Sequence, residues 1–475
     1  MTETLSRSLS IRDGRLFIEE CDVAELADRF GTPLFVVSEN HLVENLRDYE
    51  EAFSKHWPEG EFRVMAAIKA NPNTAIRRIL TREGAGCDTF GRGELELALR
   101  GGVDPHDLAV NGSIKSRDVI ARAIEVGCHI ILDSPIELDY CEEEAARQGK
   151  TAQMLLRVKP WLGELDMASD FFPDRTIRDM TQTVKYGIPT SEMLPMVSKA
   201  IQLEHVDLVG VHMHAGRHSK RLEFWEALVT AQVDMIDRIR TEAGGNWAPK
   251  IVSFGGGMAA IQDRETRVAV TDYESPQIED YARVITETFR REMTSRGFDT
   301  AGMLIEVEPG RGLHNETGIH LAKVHVIKHE TENIDRVWAE TDTSEVFLSI
   351  GGLNVTPPFD YMIANKADAE MSEVADIAGL TCNYECLIEQ TPVPHLEPGD
   401  VLTFLNTGSY IEPYTCNFNM LPRPGMVLVS GDRAEWIKRP ETLDEVFARD
   451  VVPQHLEGIG GPPVGSPRSG KEKYD

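Results

Sequence analysis

The sequence predicts an α/β chain in two parts: a (β/α)8 barrel of the TIM type, then a second, β-rich domain of Greek-key-like character that also takes the N-terminal strands. Three observations carry that expectation. Between about residues 60 and 310, short apolar runs alternate with amphipathic helical stretches, as repeated βα units with a parallel sheet and crossover helices require. After about residue 312 the helical rhythm fades and strand-like runs dominate. The length, 475 residues, exceeds the size at which a single hydrophobic core stops growing, so more than one domain is expected.

Residues 8–19 read as a hairpin, because Asp13-Gly14 suits a tight turn between short apolar strands. A helix follows at Asp22, whose spacing to Glu25 resembles a capping box, and Leu34 to Val37 is a further strand. Within the barrel, strands are expected at Val64 to Ile68, Leu108 to Val110, His129 to Leu132, Met154 to Val158, Leu208 to Met213, Ile251 to Phe254 and Met303 to Val307. Helical periodicity marks Arg92 to Leu99, Arg117 to Glu125, Leu222 to Arg240 and Gln277 to Glu292. So many βα units favour a closed barrel, which puts active residues at the C-terminal ends of its strands. Strands of the second domain are expected at Ile319 to Ile327, Val346 to Ile350, Val401 to Leu405, Met426 to Val429 and Ala434 to Ile437. The domain limits are then 1–45 for the N-terminal strands, 46–312 for the barrel and 313–457 for the β-domain. Residues 458–475, rich in Gly, Pro, Ser and charge, read as a disordered tail.

Charged residues at 27% and hydrophobic ones at 41% describe a folded globular chain. A formal net charge of −29 repels nucleic-acid phosphates and anionic membranes, so neither is an expected partner. No apolar run is long enough to span a bilayer and the N-terminus has no signal core, which points to the cytoplasm. The seven cysteines are odd in number and lack CxxC spacing, so neither a disulfide framework nor a zinc ribbon is signalled.

The chemistry gathers at strand ends. In Phe62-Arg63-Val64-Met65-Ala66-Ala67-Ile68-Lys69-Ala70-Asn71-Pro72-Asn73 an apolar run delivers one ammonium group into an abrupt turn. A partly desolvated lysine there is expected to lose basicity and act as a nucleophile toward aldehydes; the plain alternative is a surface lysine. Gly255-Gly256-Gly257 closes another strand with bare backbone N–H groups suited to a phosphate, or is simply a tight turn. Glu308-Pro309-Gly310-Arg311 sets a carboxylate, a glycine amide and a guanidinium at the same face. His212-Met213-His214 sends two imidazoles to one side. With no third ligand at useful spacing, a flat ring against a flat cofactor reads better than a metal site.

Together these residues resemble the fold type III pyridoxal-phosphate enzymes, in the branch of the diaminopimelate and ornithine decarboxylases. The resemblance runs from about residue 10 to 450. Its further markers are Gly86-Cys87-Asp88, Arg92-Gly93-Glu94-Leu95, Asn111-Gly112-Ser113-Ile114-Lys115-Ser116, Lys185-Tyr186-Gly187-Ile188, Cys382, Gly399-Asp400, Gly408-Ser409-Tyr410, Phe418-Asn419 and Arg423-Pro424. It implies a carboxy-lyase with pyridoxal 5′-phosphate as cofactor, resembling diaminopimelate decarboxylase and releasing carbon dioxide from the α-carbon of a polar or diamino acid. Lys69 would bind the cofactor aldehyde and His214 would stack on its ring. Gly257, Gly310 and Arg311 would lie near the phosphate, and Tyr410 would reach it from the β-domain. Glu308 would face the ring nitrogen, where the related alanine racemases place an arginine. Cys382 would reprotonate the α-carbon as general acid. The family's homodimer shares its active sites, so Cys382 and Tyr410 would come from the second subunit. The rival readings are a racemase or epimerase and a non-catalytic homologue of the antizyme-inhibitor kind.

For the substrate, the resemblance nominates Arg311, Tyr361, Asn383, Tyr410 and Arg217. Diaminopimelate decarboxylases follow the cysteine with Glu and ornithine decarboxylases with Asp, whereas Asn383 stands here, and a neutral amide pairs weakly with a distal ammonium. The family's Arg-Pro-x-x-Tyr segment reads Pro357-Pro358-Phe359-Asp360-Tyr361. Arg217 and His218 stand where Ser-Gln is usual and could replace the lost anion site. Residues 259–276 form a polar, charged insertion, a candidate specificity loop.

Overall fold

The computed structural model describes residues 5–162, 176, 181–215, 219–260, 275–349, 359–383 and 385–456. Eight parallel strands close into a barrel in chain order: Glu61–Ala67, Gly86–Thr89, Leu108–Val110, His129–Leu132, Ala152–Arg157, Val206–His212, Ile251–Ser253 and Leu304–Val307. The last pairs with the first, Val307 opposite Val64. Seven match strands expected from apolar runs. The second, Gly-Cys-Asp-Thr, has no such run to announce it.

Inside the barrel, Met65, Ala109, Ile131, Leu155, Val209 and Ile251 form a buried apolar plug. Nearer the C-terminal strand ends the buried residues turn polar: Asp88, Asn111, Asp133, Arg157, His212, Ser253, Glu306 and Glu308. Buried polar groups are costly unless partnered, so this layer marks the functional end. The outer helices bury their apolar faces against the strands, among them Leu222–Glu242 through Phe224, Trp225, Leu228 and Val229.

Among the described residues the β-domain is a nine-stranded sheet around Gly318–Glu330. The N-terminal strand Leu34–Ser38 runs antiparallel to Gly318–Glu330 and parallel to Gly425–Ser430, so the chain's beginning is spliced between two segments near its end. The expected hairpin forms, with Leu9 opposite Ile18 and both Asp13 (φ 48°) and Gly14 (φ 77°) left-handed. It builds a separate three-stranded sheet with Cys21–Asp22 and packs Leu16 and Ile18 onto Ile319 and Leu321 of the β-domain. Asp22 caps the next helix by accepting from the amides of Ala24 and Glu25.

One expectation is corrected: in the expected strand Val346 to Ile350, the described residues Val346 to Ser349 are not a strand. Glu345–Leu348 is a helical turn, opened by Ser344 Oγ accepting from the Val346 amide at 3.2 Å; that local cap outweighs β-propensity. Among the described residues no helix is long and apolar enough to cross a membrane. The proposed tail at 458–475 and most of the 259–276 insertion lie outside the described residues.

Candidate active site

The first barrel strand ends at Ala67, and Ile68–Ala70 makes a single tight turn. The Asn73 side chain then accepts from the Ala75 amide at 2.8 Å and starts the helix Thr74–Arg82. Lys69 is thereby fixed at the strand's C-terminal end. Its Nζ lies 2.8 Å from Asp88 Oδ2, on the neighbouring strand, and Asp88 is fully buried. The parallel register sets Ala67 opposite Asp88, which aims both side chains into the same space.

This pair corrects the expected loss of basicity. Burial by itself lowers the Lys69 pKa, but Asp88, Tyr410 and Glu308 outweigh it and hold the ammonium above its ordinary value. Without the cofactor, Lys69 is therefore a stored cation.

Glu308 follows the last strand and is buried beneath the two histidines. His212 Nε2 lies 2.8 Å from its Oε1, His214 Nδ1 lies 3.8 Å from its Oε2, and Ser253 Oγ is 3.4 Å from Oε1. Burial opposes the charge on Glu308, yet His212 above all overcomes it and keeps the carboxyl ionised well below the usual carboxylate range. His214 Nδ1 accepts the Gly256 N–H at 2.9 Å, which leaves its proton on Nε2. Burial pushes that imidazole down to about 4, so it is a neutral ring at physiological pH. A buttress stands behind: Arg157 donates to Asn111 Oδ1 at 3.1 Å, lies 3.7 Å from Asp133 and stacks 4.7 Å over the Tyr186 ring.

The glycines form a cradle. Gly255 and Gly257 have φ of 65° and 101°, a left-handed backbone that suits glycine. A Cβ on Gly256 would lie 2.2 Å from the Glu308 carbonyl oxygen, and one on Gly310 would lie 2.2 Å from the Tyr410 hydroxyl. The Arg311 guanidinium sits 5.2 Å over the Tyr410 ring.

Tyr410 therefore stands against the barrel of its own chain, which corrects its expected origin in a second subunit. The reason is local. The Tyr410 amide donates to Ala70 O at 2.9 Å, Asn71 Nδ2 to Gly408 O at 3.2 Å and Ser409 Oγ to Asn315 Oδ1 at 3.2 Å, stitching this loop to the turn after Lys69.

Cys382 is placed differently. It is exposed, and its partner is Asn419 of the β-domain: its amide donates to Asn419 Oδ1 at 3.0 Å, and Asn419 Nδ2 lies 3.3 Å from Sγ. Asn383, also exposed, donates to Glu345 Oε1 at 2.6 Å. The Tyr361 hydroxyl is held by Thr391 Oγ1 at 2.7 Å and by Pro392 O. Arg217, His218, Pro357 and Pro358 lie outside the described residues. The structure thus gathers Lys69, His214, Gly257, Glu308, Gly310, Arg311 and Tyr410 at one mouth, and sets Cys382 and Asn383 on the surface of the β-domain.

Asp88, Asn111 and Arg157 had no individual role assigned from the sequence. The signal available for Asp88 was its place two residues into a strand beside the lysine's own. His212 was noted as one of two imidazoles, but its pairing with Glu308 joins two strands that are apart in the sequence.

Comparison with known proteins bears directly on this arrangement. The family described as pyridoxal-dependent decarboxylase, pyridoxal binding domain, matches residues 39–315. The diaminopimelate decarboxylase of Methanocaldococcus jannaschii is 30% identical over 462 residues, covering 94% of this chain and 98% of its own. That of Pseudomonas aeruginosa is 29% identical over 450 residues, covering 94% of this chain and all of its own. The crystal structure of the M. jannaschii enzyme with L-lysine superposes with a TM-score of 0.85 at 29% identity, covering 95% of this chain and 99% of that one.

Proposed function

The chain belongs to the pyridoxal-dependent decarboxylases, and from that premise we propose that it removes the α-carboxylate of an amino acid carrying a polar distal group, diaminopimelate or a relative of it. The observation that carries this reading is the buried electrostatic set: Lys69 on Asp88, with Glu308 held ionised by His212 beside a neutral His214.

The residues fit pyridoxal 5′-phosphate. The cradle at Gly255, Gly256 and Gly310 has no room for a Cβ at Gly256 or Gly310, and Arg311 adds a cation beside it. When bound, the cofactor supplies a conjugated cationic ring that takes up the electron pair left at the α-carbon as carbon dioxide departs. Lys69 would anchor its aldehyde carbon. Glu308 would hold the proton at the ring nitrogen, which a neutral or cationic partner would not do. His214, neutral and clamped by Gly256, would face the ring without competing for that proton. Gly257, Gly310, Arg311 and Tyr410 would hold the phosphate.

Cys382 is the proton donor to the α-carbon in this reading. Its exposed position on the β-domain supports a homodimer in which it enters the site of the partner subunit, with Lys69 and Tyr410 contributed by one chain. Arg311 and Tyr410 meet the substrate's α-side. Asn383, Tyr361 and Arg217 are proposed for its distal end. Asn383, engaged by Glu345, presents an amide where a charged carboxylate would favour a distal ammonium, so diaminopimelate should be a weaker substrate than for a Glu-bearing relative. The seven free cysteines support work in a reducing compartment, the cytoplasm.

The test is a screen for labelled carbon dioxide from 1-carboxyl-labelled L- and D-amino acids, diaminopimelate included. Release from at least one supports the proposal. Conversion of a substrate to its enantiomer with the label retained would establish a racemase instead.

A further inference from the structure

Cys382 and Asn419 meet at two points. The Cys382 N–H donates to Asn419 Oδ1 at 3.0 Å, and Asn419 Nδ2 stands 3.3 Å from Sγ. The orientation of the amide follows from its partners. A backbone N–H only donates, so the amide oxygen must face it and the Nδ2–H is left for the sulfur, which can accept. The two contacts close a ring through N, Cα, Cβ and Sγ of Cys382, so one side chain fixes the direction of the thiol relative to its own backbone.

Both sides of the pair are anchored. Asn419 has φ 56° and ψ 20°, a left-handed backbone that asparagine tolerates better than most residues. Asn417 Nδ2 donates to Leu421 O at 2.9 Å and to Glu441 Oε2 at 2.6 Å, and Arg423 Nη2 donates to Glu441 Oε1 at 2.8 Å, which holds the turn across its base. On the other side Glu385 Oε2 accepts from the Thr381 amide at 2.9 Å and from Thr381 Oγ1 at 2.5 Å, directly before Cys382. Leu380, Phe418 and Met420, next to the pair in sequence, expose large apolar side chains, in keeping with a face that the partner of the proposed dimer covers.

Resting on the reading of Cys382 as proton donor to the α-carbon, we propose that Asn419 is a positioning residue that acts through it: its amide oxygen fixes where the thiol stands, and its Nδ2–H stabilises the thiolate left when the proton departs. In that step the S–H bond breaks, the proton joins the electron pair that carbon dioxide left at the α-carbon, and the S–H electron pair stays on sulfur. A hydrogen bond to the charged form favours that form. Because Nδ2 only donates, it also gives the thiol no nearby acceptor that would draw its proton away from the α-carbon. The pair is exposed in the single chain. Covered in the dimer, the bond no longer competes with water and acts more strongly.

The variant that tests this is Asn419→Asp, which keeps an oxygen for the Cys382 amide and suits the left-handed turn, but sets a carboxylate oxygen where the Nδ2–H stood. Alkylation of Cys382 by iodoacetamide is followed by peptide mass in the full-length holoenzyme from neutral to alkaline pH. The thiolate is the reacting form, and the ratio of neutral to alkaline rate reports its formation independently of access to the sulfur. That ratio should fall roughly tenfold in Asn419→Asp, while exposed Cys416 keeps its own as an internal reference. Turnover should fall by about the same factor in kcat with KM little changed, and pyridoxamine phosphate should accumulate. An unchanged ratio in folded Asn419→Asp would overturn the proposal and leave Asn419 a structural clasp, as would a lowered ratio with unchanged kcat. If Asn419→Asp fails to fold, Asn419→Gly, which suits φ 56°, decides by the same ratio. A lowered ratio without carbon dioxide release from any amino acid in the substrate screen would defeat the decarboxylase reading and leave the Asn419–Cys382 linkage standing.

Discussion

Around Lys69 the charges are buried and answered: Asp88 meets the ammonium, His212 meets Glu308, and Arg157 meets Asp133 and Asn111. Around Cys382 the side chains are exposed, and the hydrogen bonds of the segment run among neighbouring β-domain residues such as Asn419 and Glu345. The contrast follows from what each region has to do. Stabilising charge on a cofactor ring needs fixed dipoles and ions in a dry cavity, where they act strongly and need no reorganisation. Delivering one proton to a carbon needs only a donor brought to the correct face, and a surface segment closed over by a partner can supply it. The barrel mouth is complete within one chain. The Cys382 face acquires its role in the dimer proposed above.

Substitutions can break that contrast, and the largest effect is expected at Lys69. Lys69→Ala should abolish the visible absorption of the holoenzyme together with turnover, while the fold survives; a spectrum like the wild type's would refute the cofactor assignment. Cys382→Ala should keep the cofactor band and substrate binding yet lose about 10²- to 10⁴-fold in kcat, the usual share of a positioned general acid. Trapping of pyridoxamine phosphate should rise with it, since protonation then goes astray. Glu308→Gln should cost about 10²- to 10³-fold in kcat, as removal of one preorganised charge partner typically does. Unchanged turnover there would remove the electrostatic argument.

Stability sharpens the same comparison at smaller scale. Gly256→Ala drives a methyl group toward the Glu308 carbonyl oxygen and should destabilise the barrel by about 1–3 kcal/mol, visible as a lower Tm. Asn383→Ala, on the exposed face, should stay within about 0.5 kcal/mol of wild type and act on KM instead. The buried histidines add a pH signature. Burial lowers His41 and His214 to about 4 and His314 and His320 to about 3. The unfolded chain then binds protons that the folded one refuses, so stability is full above about pH 6.5, the ordinary histidine value, and falls as the pH drops toward 4 and 3. Thermal denaturation across that range should show Tm falling with acidification, and His320→Gln should flatten the slope in part.

The barrel was legible because its strands are apolar runs with period-2 neighbours and its helices carry a 3.6-residue stripe. Gly86–Thr89 escaped because a strand of Gly, Cys, Asp and Thr carries its meaning in Asp88, whose partner is on another strand. Val346 to Ile350 misled because β-branched and aromatic residues suggest a strand while Ser344 caps a helical turn. In the site, Lys69, Glu308 and the glycines stood out because each closes a strand. The sense of the Lys69 shift did not, since it depends on which carboxylate the register brings near. The side of the dimer from which Tyr410 comes was equally hidden, for it is decided by backbone hydrogen bonds to Ala70 and by Asn71 and Asn315.

The most direct test of the two-region account mixes the two inactive variants. Lys69→Ala lacks the barrel half and Cys382→Ala lacks the surface half, so a heterodimer of the two rebuilds one complete site if Cys382 reaches across the subunit boundary. Random reassociation makes half the dimers heterodimers with one good site in two, which predicts recovery of about a quarter of wild-type activity. A heterodimer verified by mass that remains as slow as its parents would contradict the account.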